Sequence, residues 1–137
     1  MILGAVEGFD KPNISFNASA TFSCDTPFIV DFVDQTIGAA SWSWDFGNGY
    51  ISNLQSPTVL YDSSAVYTIS LSVVDVNSCS NTLTNTNYIT IDKPLSAFSA
   101  TNLSGCNPLN TSFEDTSQSS QAVVSWFWDF GDGNSST

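Results

Sequence analysis

An all-β fold, an antiparallel β-sandwich repeated in tandem, is what the sequence predicts, and three observations predict it. In Tyr67-Thr68-Ile69-Ser70-Leu71-Ser72-Val73 every odd position is apolar and every even one carries a hydroxyl, the period of two that marks a half-buried strand. Turn-forming clusters recur every ~8 to 12 residues while no segment shows a period of 3.6. The chain also repeats its own markers at an offset of about 82 residues.

Taken in order, the elements are these. Asp10-Lys11-Pro12 ends a stretch, residues 1–11, read as a linker or the end of a preceding repeat. Phe28, Val30 and Phe32 alternate, with Asp31 facing the other way, and give a strand. In Trp42-Ser43-Trp44-Asp45-Phe46-Gly47-Asn48-Gly49 the side chains of Trp44 and Phe46 share one face and Asp45 takes the other. Gly47, Asn48 and Gly49 then supply a turn that tolerates left-handed backbone. Ser56-Pro57 and Asp62-Ser63-Ser64 are breaks, the alternating strand Tyr67–Val73 follows, and Asn77-Ser78 turns the chain again. Tyr88-Ile89-Thr90-Ile91 makes a shorter strand before Asp92-Lys93-Pro94 repeats the joint.

The second copy begins there. Cys24 recurs as Cys106, the pattern Val30–Thr36 recurs as Thr111–Ser117, and the Trp42 motif recurs from Trp126 with two extra residues around Gln118 to Ala122. Trp128, Asp129, Phe130, Gly131, Asp132 and Gly133 take the roles of their counterparts. Residues 12–91 thus form one complete domain, and residues 92–137 the first half of a second. Half a sandwich leaves Phe113, Trp126, Trp128 and Phe130 without an opposing sheet, so residues 94–137 are expected to be poorly ordered in isolation or to pair with another chain.

Composition narrows the chemistry. Two basic residues against thirteen acidic ones give a formal charge of −11, which argues against nucleic acid and anionic lipid as partners. No apolar run approaches the ~20 residues of a membrane span, and MILGAVEGF lacks the basic start of a signal peptide, so any export signal is expected outside this chain. With no histidine and little lysine or arginine, most general bases and electrophilic clamps are missing. Asp45-Phe46-Gly47 is also the tripeptide that holds magnesium in protein kinases, yet no glycine-rich nucleotide loop, strand lysine or His-Arg-Asp loop accompanies it. A two-carboxylate glycosidase needs a cleft that so small a domain does not offer. The chain is read as non-catalytic.

An apolar-x-Phe strand, then Trp-x-Trp-Asp-Phe-Gly-(Asn/Asp)-Gly, Ser-Pro-Thr-x-x-Tyr and Tyr-Thr-Ile-Ser-Leu-Ser-Val-Val-Asp, in that order, resembles the PKD (polycystic kidney disease) repeat family. The resemblance covers nearly all of residues 12–91 and the front half of the second copy, and implies an immunoglobulin-like sandwich. It departs at Ala65, where the family often has Gly, so the turn before Tyr67 has to avoid a positive φ or carry strain. The resemblance also implies calcium near the motif turn in some members. Asp45, Asn48 and Asp75 are the candidate ligands in copy one, Asp129 and Asp132 in copy two; the alternative is an ordinary solvated acidic face. No other cofactor is implied.

The repeat frame pairs Cys24 with Cys79 in a disulfide and leaves Cys106 as an orphan whose partner lies in the missing half, which implies an oxidising compartment. Two buried, reduced cysteines are the alternative. The function implied is a non-catalytic extracellular or cell-surface module of a larger protein, a spacer or adhesive unit contacting protein or polysaccharide alongside other domains of the same polypeptide. The alternative is an accessory carbohydrate-binding module of a secreted hydrolase. Trp42 and Trp126 are the candidate ligand contacts, unless they pack under a loop.

Overall fold

The computed structural model describes residues 8–137, and every regular element within them is a β-strand. The chain divides into two compact units after Ile91. Unit one holds β1 (Phe16–Ala18), β2 (Phe22–Ser23), β3 (Phe28–Asp34), β4 (Ala39–Asp45), β5 (Ile51–Ser52), β6 (Thr58–Tyr61), β7 (Val66–Asp75) and β8 (Ser80–Ile91). Unit two holds β9 (Phe98–Thr101), β10 (Ser112–Asp115), β11 (Trp128–Asp129) and β12 (Ser135–Ser136). Of the linker read at residues 1–11, residues 1–7 lie outside the described part.

Unit one is a sandwich of a three-stranded sheet, β1-β3-β6, and a five-stranded sheet, β2-β8-β7-β4-β5. Alternation decides which side chains fill it. Val30 and Phe32 of β3, Val59 and Tyr61 of β6, and Tyr67, Ile69, Leu71 and Val73 of β7 point inward and are buried, with Trp44, Phe46, Ile89 and Ile91. Asp31 points outward, as the alternation predicts. On the outer face of β7 the hydroxyls of Ser70 and Ser72 bond to Thr84 at 2.8 Å and Thr82 at 2.7 Å on β8, which is why hydroxyl residues suit the even positions.

Three details depart from the sequence reading. β8 starts at Ser80, eight residues before the predicted Tyr88, because Ser80–Asn87 is polar and is held in register by β7 rather than by apolar periodicity. β2 runs parallel to β8, so the sandwich is not purely antiparallel. Most of the strands without an alternating signal, β1, β2 and β5, are only two or three residues long.

Buried side-chain nitrogen and oxygen atoms are all partnered among the described residues. The Trp44 indole N–H donates to the Leu54 carbonyl at 2.9 Å, and the Tyr67 hydroxyl, at the start of β7, reaches back to the Ser63 carbonyl at 2.8 Å. The latter is the tyrosine corner common in immunoglobulin-like sandwiches. Burial, with the neighbouring Tyr67 phenol adding to it, pushes the Tyr61 phenol well above its ordinary value. Ala65 is not among the residues with positive φ, so the turn before Tyr67 takes the unstrained alternative. Gly47 has no such freedom: at φ +72° a Cβ would lie 2.8 Å from the Thr68 carbonyl oxygen.

The expected Cys24–Cys79 disulfide is corrected by the topology. Ser23 pairs with Ile91 at one end of β8, whereas Cys79 precedes Ser80 at the other end. At ~3.3 Å per residue the two cysteines lie roughly 35 Å apart, against a limit of about 7 Å between Cα atoms for a disulfide. Cys24, Cys79 and Cys106 are all free thiols, and neither Cys24 nor Cys79 is buried. The frame correctly put each near a strand end but not at which end.

Unit two has two small antiparallel ladders, β9 with β10 and β11 with β12. The first is extended by the bridge of Leu95 to Gln118. Of the four aromatics named from the sequence, Phe113, Trp126 and Phe130 are exposed and Trp128 is half-buried; Phe98 is exposed as well.

Candidate functional site

The residues that looked most like a site turn out to organise the two turns around the Trp motif. Asp34, at the inward end of β3, is 6% exposed. Its carboxylate accepts from the Thr36 amide at 3.0 Å, the Thr36 hydroxyl at 2.5 Å and the Trp42 indole N–H at 2.7 Å. The Thr36 hydroxyl also receives the Ser15 amide at 3.2 Å. One buried carboxylate therefore ties the end of β3 to the middle of β4 and, through the Thr36 hydroxyl, to the segment before β1. Trp42, a candidate ligand contact, is half-buried, packs against the core and has its polar atom committed.

Asp45 has a different task. Its Oδ1 accepts the Gly47 amide at 2.9 Å, an Asx turn that starts the reversal. Asn48 repeats the device by accepting the Tyr50 amide at 3.0 Å, and its Nδ2 donates to the Leu60 carbonyl at 3.1 Å. Asp75 caps the next hairpin, receiving the amides of Asn77 at 2.8 Å and Cys79 at 2.9 Å. Asp45 lies opposite Ser70 on β7, and Asp75 is five residues further along, about 17 Å away at ~3.3 Å per residue. The calcium set Asp45, Asn48 and Asp75 is thus not brought together, and no group of three acidic or thiol side chains converges among the described residues. The donor set does not fit the ion.

Unit two reproduces this geometry. Asp115 accepts from the Ser117 amide at 3.2 Å, the Ser117 hydroxyl at 2.6 Å and the Trp126 indole N–H at 2.6 Å. These bonds, from Ser117 first and Trp126 second, hold the Asp115 carboxyl below its ordinary value of 3.8. Asp129 and Asp132 spend oxygens on the amides of Gly131 and Asn134, each at 2.9 Å, and the Asn134 amide is the main reason the Asp132 carboxyl is also lowered. Gly131 and Gly133 adopt positive φ, as Gly47 and Gly49 do.

Asp34 and Asp115 are the residues that sequence reasoning passed over. The available signal was their recurrence in the two copies, each with a hydroxyl residue two positions on and a tryptophan further along.

Comparison with known proteins accords with the fold. The PKD1 domain of Vibrio anguillarum Epp is similar at 28% identity and TM-score 0.50, over 60% of this chain and 96% of that one. The PKD1 domain of the Vibrio cholerae metalloprotease PrtV is similar at 27% identity and TM-score 0.50, over 60% and 98%. A structure described for the promiscuous specificity of carbohydrate-binding modules from the β-sandwich superfamily aligns at 25% identity and TM-score 0.53, over 68% of this chain and 45% of that one. Residues 10–91 match the PKD domain family. Through that sandwich, with its aspartate-tied tryptophan and its Trp-Asp-Phe-Gly turn, the chain belongs to the PKD domain family.

Proposed function

We propose that the chain is a non-catalytic, extracellular module of a larger protein, acting as a spacer or in adhesion. The observation that carries this reading is that Asp45, Asp129 and Asp132 are each bonded to a turn amide, while the Trp42 and Trp126 indoles are bonded to Asp34 and Asp115. The likeness to a PKD domain of a metalloprotease supports a module that accompanies another domain. In this reading residues 12–91 are one complete PKD repeat and residues 92–137 the first half of a second, which the matching Asp115–Ser117–Trp126 bonds support. Protease treatment of intact source cells, followed by immunodetection of this segment, tests the location: loss of signal without lysis is expected, and full protection overturns it.

A second reading, an accessory carbohydrate-binding module, is favoured by one observation. Trp126 is 44% exposed beside exposed Phe127, which suits stacking on a sugar ring. Retention on insoluble cellulose or chitin that Trp126→Ala abolishes, with unit one melting unchanged, selects this reading over the spacer.

A further inference from the structure

Glycine follows asparagine once in the chain, at Asn48-Gly49, and the fold sets that pair in the turn between β4 and β5. Both residues are exposed. Gly49 has φ +85° with open space where a Cβ would stand, and no backbone carbonyl among the described residues holds its amide. Its nitrogen is therefore bare on the side that a larger residue would shield. One residue on, the Tyr50 amide donates to Asn48 Oδ1 at 3.0 Å, which draws electron density away from the side-chain carbonyl carbon. An unshielded amide nitrogen directly after a polarised asparagine carbonyl is the pairing that closes a succinimide ring.

What Asn48 holds gives that reaction a consequence. Its Nδ2 donates to the Leu60 carbonyl at 3.1 Å on β6, the outer strand of the three-stranded sheet, so this side chain bridges the two sheets. The Tyr61 hydroxyl, donating to the Phe46 carbonyl at 3.3 Å, bridges them beside it. Unit two shows what a carboxylate does in the same turn. Asp132 stands there in place of Asn48, and its Oδ1 accepts the Asn134 amide at 2.9 Å as Asn48 accepts that of Tyr50. Gly131 and Gly133 keep φ at +74° and +91°, against +72° and +85° at Gly47 and Gly49. An aspartate at position 48 thus fits the turn but not the bridge, because it sets an anionic oxygen against the Leu60 carbonyl oxygen where a donor stood.

We propose that Asn48 is a site of spontaneous deamidation, and that the change releases β6 from the turn between β4 and β5. The Gly49 nitrogen, losing its proton to solvent base, bonds to Asn48 Cγ; the Cγ–Nδ2 bond breaks, and Nδ2 leaves as ammonia with a proton taken from water. Water then opens the succinimide at either carbonyl to give aspartate or isoaspartate, and nothing is oxidised or reduced. Aspartate keeps the Tyr50 bond and loses the Leu60 bond. Isoaspartate lengthens the main chain by a methylene and loses both.

The test is to age the full chain in mildly alkaline buffer, folded and in urea, and to locate aspartate and isoaspartate by peptide mass mapping. Conversion at Asn48 in the folded chain is expected to be about tenfold or more faster than at exposed Asn77, whose follower Ser78 carries a Cβ. The aged chain and Asn48→Asp are both expected to unfold about 4 °C or more below fresh protein, the size of one lost bond in a domain this small, with the Tyr50 amide still protected in Asn48→Asp. Asn48→Ser, which cannot close the ring, is expected to keep its melting temperature over the same interval. The inference is overturned if Asn48 stays intact in the folded chain; conversion in urea alone then means that its two bonds lock the side chain away from Gly49. It is also overturned if Asn48→Asp melts with the parent, since the Leu60 bridge then carries nothing, or if Asn48→Ser ages as the parent does.

Discussion

At the scale of single residues, two aspartates of similar appearance have unequal weight. Asp34 is buried and serves three donors, so Asp34→Ala leaves the Trp42 indole and the Thr36 amide unpaired at the sandwich margin. A loss of about 3 kcal/mol in urea unfolding is expected, with Asp34→Asn milder because it keeps one acceptor oxygen. Asp45 is exposed and holds one amide, so Asp45→Ala costs about 1 kcal/mol or less. In unit two the carboxyl of Asp115 titrates below its ordinary value when folded. A depressed carboxyl contributes stability above the unfolded value, and that contribution is lost as pH falls through the lowered one. The Trp126 environment, read by fluorescence, is therefore expected to hold from neutral pH down to about 4 and to loosen only below it. Sequence made the Trp-Asp-Phe-Gly residues conspicuous but not Asp34: it keeps the register of Val30 and Phe32, yet an acid at a strand end looks solvated until its partners Thr36 and Trp42 are brought to it.

At the scale of elements, β7 shows how far alternation reaches. Its inward Leu71 is fully buried opposite Trp44, and Leu71→Ala is expected to cost about 3 kcal/mol, while Ser70→Ala on the outer face costs under about 1. Such a loss is a large share of the ~5 to 15 kcal/mol that separates a folded domain from its unfolded chain. The turn after β4 is equally exacting: Gly47→Ala combines positive φ with a clash against the Thr68 carbonyl, and a fall of about 2 kcal/mol or more in thermal or urea unfolding is expected. Strands β3, β4 and β7 were legible because each alternates over several residues. The first two-thirds of β8 was not, since a polar strand is created by its neighbour's hydrogen bonds and carries no apolar signature.

At the scale of the whole chain, the cysteines and acids are separated by the topology that sequence spacing concealed. All three thiols are expected to react with an alkylating reagent under native conditions, Cys79 more slowly because it is only partly exposed, and intact mass checks the count. Millimolar calcium is expected to move the melting temperature by less than about 1 °C, since a ligand stabilises only in proportion to its binding and these carboxylates do not converge. Unit two, with its rings uncovered, is expected to lose exchange protection at lower denaturant than unit one. The sequence by itself determined the class of fold, the alternating strands, the glycine turn and the recurrence of the motif. All of these are written in local patterns, in which a period of two or a left-handed glycine has one physical meaning. Only the tertiary structure decided which ends of strands come together. That is why Cys24 and Cys79, adjacent to strand ends in the sequence, lie at opposite ends of β8, and why Asp34 rather than Asp45 is the buried acid. Pairing between distant segments is set by how two apolar faces cover each other, and that information belongs to no single stretch of chain.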